Sequence, residues 1–262
     1  MTTFAPSPPA FERPAGARDL LAARYGEVRF LDVPDARVLA VDGSGEPGSE
    51  GFRAAFAALY PVAYTLHFAL KRRGIAAPVG ALEGLFTFGS DAEATGGDAE
   101  GSGGDTAATG SDGGSAEESS GAASAGDAEP GAAGAAPAGG TDPSGTPTNL
   151  APRWQWRLML PVPAEATDND IAAAIAEVRR KKAPPALDLL RVERWTEGPS
   201  AQTLHVGPYD AEPPTIAFLH QGIAAAGLRP RGLHHELYVS DPNRTAVARL
   251  KTVIRQPVEV IP

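Results

Sequence analysis

One carboxylate in this chain stands in the middle of an apolar strand. The run His234-His235-Glu236-Leu237-Tyr238-Val239 alternates as a β-strand does. That puts His234, Glu236 and Tyr238 on one face and Leu233, His235, Leu237 and Val239 on the other. A glutamate amid such a strand either faces solvent or sits in a recess whose surroundings set its proton affinity. In a recess it is a base, or the counter-charge for a cation, with a phenol two residues away. Glu83 holds a matching place in an earlier strand, among Leu82, Leu85 and Phe86. Carboxylates at corresponding positions are placed to converge where the two strands meet.

The aromatic residues supply the walls. The 262 residues hold 9 Phe, 5 Tyr and 3 Trp, and several cluster near these strands. Trp154 and Trp156 share one strand face, and Tyr60, Tyr64, Phe86, Phe88, Tyr209 and Tyr238 flank the expected groove. Aromatic walls around a carboxylate suit flat, apolar, cationic or nitrogen-bearing molecules.

Other chemistries fall away on residue type and spacing. With no cysteine, disulfide frameworks, thiolate zinc sites and thiol nucleophiles are excluded. His235-Glu236 begins like a zinc-peptidase motif, but position 239 is Val where the second histidine belongs. The adjacent His234 and His235 would point to opposite faces, so no metal site is expected, nor any other cofactor. Gly43-Ser44-Gly45-Glu46-Pro47-Gly48 fits the dinucleotide fingerprint literally. Pro47 removes an N–H from it, and Glu46 would repel a phosphate, so it reads as a turn. No Ser sits in a nucleophile elbow.

Composition narrows the class further. The formal charge is −9, yet residues 89–148 carry 11 of the 32 acidic residues, none of the 23 basic ones and 16 of the 30 glycines. The other 202 residues are nearly neutral at +2, with no long basic stripe for a nucleic acid. The one basic cluster, Arg179 to Lys182, ends a helix, where cations suit the dipole. No apolar run reaches the ~20 residues of a membrane span, and Met1 to Arg18 lacks the apolar core of a secretory signal. A cytoplasmic protein is expected. Residues 89–148 have no aromatic or β-branched aliphatic side chain, so they are expected to form a disordered insert in a hairpin.

The elements that must position these residues follow a repeated order. Strands are expected at Arg37–Val41, Leu82–Phe88 and Trp154–Leu160, with a helix over Phe52–Arg73 that Pro61 kinks or breaks. A helix after the N-cap Thr167 carries Ile171, Ile175 and Val178 on one stripe. Then come strands at Leu190–Trp195 and Gln202–Val206, a helix over Pro213–Ala226, and strands at Leu233–Val239 and Leu250–Gln256. Residues 35–160 and 200–258 both run strand, glycine turn, helix, strand, strand. The expected fold is therefore α+β: one domain of two duplicated βαββ halves related by a pseudo-two-fold axis, with a ligand groove between them.

Five ordered motifs carry a resemblance. They are Glu83-Gly84-Leu85-Phe86; Trp154-x-Trp156-Arg157-Leu158-Met159; His205-Val206-Gly207-Pro208-Tyr209-Asp210 with Glu212-Pro213; His235-Glu236-Leu237-Tyr238-Val239-Ser240-Asp241-Pro242; and Leu250 to Pro257. Together they resemble the GyrI-like small-molecule-binding domain family, in particular its stand-alone members, from about Asp19 to Pro262 outside the insert. The resemblance implies the duplicated βαββ (SHS2-like) fold and a groove that binds aromatic cations around a buried glutamate. It also implies, for some members, hydrolysis of cyclopropanoid alkylators in detoxification. Carried over, Glu236 is the general base on water and Tyr238 the donor to a developing oxyanion. The resemblance adds Trp156 and Tyr64 to the aromatic wall, and with Glu83, Phe86, Trp154, His205 and Tyr209 they are the expected ligand-binding residues. Phe86 is followed by Thr87 where the family has a second aromatic, and the insert is unusual. A drug-sequestering or sensing protein and a gyrase-directed inhibitor remain the alternatives. No helix-turn-helix fits in the roughly 35 residues before the first expected strand, which argues against a transcription factor.

Overall fold

The computed structural model describes residues 9–88 and 154–261. The expected disordered insert, 89–148, lies outside the described residues. The chain forms a mixed α+β fold whose elements are, in order, α1 (Ala17–Leu20), β1 (Arg29–Val33), β2 (Ala36–Ser44), α2 (Glu50–Arg72), β3 (Leu82–Phe88), β4 (Trp154–Pro161), α3 (Asp168–Lys181), β5 (Arg191–Trp195), β6 (Gly198–Val206), α4 (Pro213–Ala225), β7 (Leu228–Pro230), β8 (His235–Tyr238) and β9 (Lys251–Val260).

Local signals account for most boundaries. Ser49 caps α2 by accepting from the Phe52 N–H, and Thr167 and Asp170 close a capping box on α3. Arg179, Arg180 and Lys181 fill the last turn of α3. Two expectations need correction. Helix α2 is not broken at Pro61 but runs on through it. Its buried stripe of Phe52, Ala55, Leu59, Val62, Leu66 and Leu70 packs on both sides of the proline, and that packing outweighs one lost backbone bond. The first strand is β1, not β2: Leu31 and Val33 are buried, and Arg29–Val33 pairs with Gly198–Gln202. Asp32 and Pro34 hide that short strand from its pattern.

Eight strands form one antiparallel sheet in the order β1-β6-β9-β8-β3-β4-β2-β5, and β7 pairs with the end of β9. Strands β3 and β4 are hairpin neighbours through the pair Phe88↔Trp154. The run β2-α2-β3-β4 lies as β2-β4-β3, and the run β6-α4-β8-β9 as β8-β9-β6, on either side of the β3–β8 joint. On one sheet face α2 packs over Leu39, Val41, Trp156, Leu158 and Leu160. On the same face α4 packs over Ala201, Ile254 and Val258. The β3–β8 rungs lie between the two helices.

Candidate functional site

The central rungs decide which side chains meet. Glu236 pairs with Gly84 on one side and Ile254 on the other. Two rungs along, Tyr238 pairs with Leu82 and Thr252, and Thr252 with His205. Partners across a rung share a face, so Glu236, Tyr238, Thr252 and His205 all rise on the helix-bearing side. There Glu236 is only 5% exposed. Tyr238 Oη donates to Glu236 Oε2 at 2.7 Å, and His234 Nε2 lies 3.2 Å from Glu236 Oε1. The glycine opposite is required by close packing. A Cβ on Gly84 would sit 2.7 Å from the Phe86 ring and 3.4 Å from Tyr238 Oη.

A loop brings the second half of the site over the sheet. His205 Nε2 contacts the Pro208 carbonyl and its Nδ1 the Thr215 hydroxyl, each at 3.0 Å. The carbonyl can only accept, so Nε2 carries a proton and donates to it. One buried imidazole thus pins both ends of the segment that carries Tyr209 and Glu212. Tyr209 meets Tyr238 edge to face at 5.5 Å. Glu212, 4% exposed, precedes α4 at its N-cap position yet makes no capping bond. Its carboxyl turns instead to Glu236 and the Thr252 hydroxyl.

The electrostatics follow from this crowding. Burial, then the neighbouring Glu236, pushes the Glu212 carboxyl up to about 9, against a smaller opposing pull from Thr252. No cation is among the groups that set it. The pair therefore keeps a proton at neutral pH, with Glu212 as its holder. Burial also raises the phenols: Tyr209 to about 12, with help from Glu212 and Glu236, and Tyr60 to about 12 beside Tyr64 and Asp241. Tyr238 is raised well above its usual range by burial and by Glu236. The arrangement offers one shared carboxyl proton, neutral phenols and aromatic walls. It can take up a proton from a bound molecule or balance a positive charge.

The opposite face of the same rungs holds a different cluster. Glu83 pairs with Leu237, one residue out of step with Glu236, and so projects the other way. It reaches His235 Nε2 at 3.2 Å, while His235 Nδ1 meets Glu197 Oε1 and Arg255 Nη1 meets Glu197 Oε2, both at 3.1 Å. Burial alone would lower the His235 imidazole, but Glu197 and Glu83 override it and hold it up at about 9. Arg255 also donates to Gln202 and to the Leu20 carbonyl, which ties the N-terminal segment to the sheet.

Of the residues singled out in the sequence, Glu236, Tyr238 and Tyr209 come together, with the Phe86 ring over Gly84 beside them. Glu83 does not converge with Glu236, because a one-residue register offset reverses the face. The Tyr238 proton is directed at Glu236. His205 has both ring nitrogens engaged within the chain. Trp156 is a core residue, edge-on to Phe52 at 5.1 Å and donating to the Gly45 carbonyl, and Trp154 stands edge-on to Phe86. Tyr64 is half exposed, the third ring of an i,i+4 stack running Phe56, Tyr60, Tyr64, Phe68 along α2. Sequence reasoning missed Glu212 and Thr252 as site members. An acid before Pro213-Pro214 reads as a helix cap, and only the His205 clamp turns it inward. A large cleft of about 820 Å³ lies elsewhere, between α3 and the β2–β5 edge. Its Arg37 and Arg194 are paired to Asp168 and Asp35, and nothing links it to Glu236.

No protein-family profile matches the chain, and no curated protein sequence does. Among solved structures it is similar to an uncharacterized conserved protein from Listeria innocua, at 23% identity over 95% of this chain and 100% of that one, with a TM-score of 0.64. Two hydrolase structures from the same organism have the same identity and coverage, with TM-scores of 0.61 and 0.62. At this identity the likeness is one of fold. Among the described residues no helix is long and apolar enough to cross a membrane.

Proposed function

We propose that this chain folds as a GyrI-like domain that binds flat aromatic, amphipathic or cationic small molecules around Glu236 and adds water to cyclopropanoid alkylators. The two βαββ runs that meet at the β3–β8 joint are read as a duplicated unit. The observation that carries the functional reading is the buried acid pair Glu212 and Glu236 under Tyr238 and Tyr209. Buried carboxyls at a sheet joint, with no cation among the described residues acting on Glu212, weaken a fold, and such groups concentrate where chemistry is done. The hydrolase likeness among the structural neighbours supports the same class.

In this reading a cyclopropane conjugated to a carbonyl lies against the tyrosines. Water attacks the ring carbon, the strained C–C bond breaks, and its electron pair passes into the conjugated carbonyl. Glu236 accepts the proton that water loses. Its protonation weakens its hold on the Tyr238 O–H, which then turns to the new oxyanion. Return of the proton to the product completes the net addition of one water.

Mass spectrometry of such an alkylator incubated with the full chain tests this. A product heavier by one water, formed by the wild type and not by Glu236→Gln, supports the hydrolase. Compound recovered unchanged despite saturable binding would make Glu236 a recognition charge and the protein a sequestering or sensing one. Neither binding nor turnover would overturn the reading.

A further inference from the structure

Two polar atoms at the heart of the site have no hydrogen-bond partner among the described residues: Glu212 Oε1 and Thr252 Oγ1. Thr252 is fully buried, and buried hydroxyls are nearly always bonded. A threonine serves a strand core no better than valine unless its oxygen is used. It sits on β9 between Tyr238 and His205, under the loop that delivers Glu212. The Thr252 hydroxyl lies near enough to the Glu212 carboxyl to favour its ionised form.

We infer that Thr252 Oγ1 and Glu212 Oε1 together hold the water that attacks the substrate, an assignment that rests on the hydrolytic reading above. The water lies between a hydroxyl and a carboxyl oxygen, with its remaining lone pair free to meet carbon. As the O–C bond forms, the water proton passes to Glu212 Oε1, and the proton that Glu212 already carries passes to Glu236. Glu236 remains the net base, and the Glu212 carboxyl is the relay. Thr252 neither gains nor loses a proton.

High-resolution crystallography of the full chain, together with kinetics of Thr252→Val and Thr252→Ser, tests this. Wild type is expected to show an ordered water within hydrogen-bonding distance of both atoms, absent from Thr252→Val and present in Thr252→Ser. With a carbonyl-conjugated cyclopropane as probe, Thr252→Val should lose about 10²-fold in kcat at unchanged KM, the cost of a misplaced reactant, and Thr252→Ser should recover most of it. Valine is nearly isosteric, so its melting temperature should match or exceed that of wild type. A Thr252→Val that turns over normally while Glu236→Gln is dead would overturn the water assignment and leave the hydrolase standing. If no probe is hydrolysed by the wild type, the hydrolytic reading fails, and the crystal structure alone decides whether the two atoms hold water.

Discussion

Glu83 and Glu236 occupy neighbouring rungs of the β3–β8 ladder and face opposite sides of the sheet. The first closes a buried ion network with His235, Glu197 and Arg255. The second sits under two tyrosines beside another acid. One residue of register separates a carboxylate held in an ion network from the one proposed to do chemistry, and variants should divide accordingly.

Glu83→Gln is expected to destabilise the fold by about 1–3 kcal/mol, because it weakens a partner of the buried imidazolium. Ligand binding should survive. Glu236→Gln should leave the melting temperature equal or higher, since it relieves the buried acid pair, and lower turnover by about 10²–10⁴-fold. Paired calorimetry and kinetics on both variants check the division. A Glu83→Gln that kills turnover at full stability would defeat it.

Stability should fall as pH rises from 5 to 9. His235 is held at about 9 against its ordinary 6.5, so its contribution is complete below 6.5 and lost through 9. Glu212, raised from 4.5 to about 9, behaves the same way: the unfolded chain ionises first, and the folded state keeps its proton. Glu197 works oppositely. Held at about 2, it supports the fold above 4.5 and is lost only towards pH 2. Thermal melts between pH 5 and 9.5 should slope downward, with Glu212→Gln flattening the slope between 5 and 6.5. A rising or level profile in the wild type would contradict the assignment.

Loss of the His205 clamp should act through the loop it pins. His205→Ala leaves the Pro208 carbonyl and the Thr215 hydroxyl without their partner, at a cost of about 1–3 kcal/mol. Hydrogen exchange should quicken at Tyr209 to Ile216 more than in β6. The Glu212 carboxyl, freed from its buried position, should titrate nearer the ordinary range. Uniform exchange across the domain would show that the histidine serves the core rather than the loop.

Gly84→Ala should crowd the Phe86 ring and Tyr238 Oη, where a Cβ would approach to 2.7 and 3.4 Å. Overpacking of this kind costs about 1–3 kcal/mol, and displacement of Tyr238 should weaken ligand binding with it. Gly51→Ala, in the first turn of α2 with nothing within 4 Å, is the control and should be neutral or slightly stabilising. Equal effects at both positions would remove the case for close packing at Gly84.

What the amino-acid sequence determined by itself was local. Alternation in residues 233–239 assigned Glu236 and Tyr238 to one face and His235 to the other, because side-chain direction along a strand depends only on the chain's own period. Thr167 announced a helix start for the same local reason, and repeated element order pointed to an α+β sheet. Tertiary structure alone decided the register of β3 against β8. Strand pairing is set by the packing of helices and strands distant in sequence, and a single step reverses every side chain. That is why Glu83, so like Glu236 in its surroundings, left the site. It is also why Glu212 and Thr252, 40 residues apart and unremarkable in sequence, entered it: a histidine on a third strand folds one over the other.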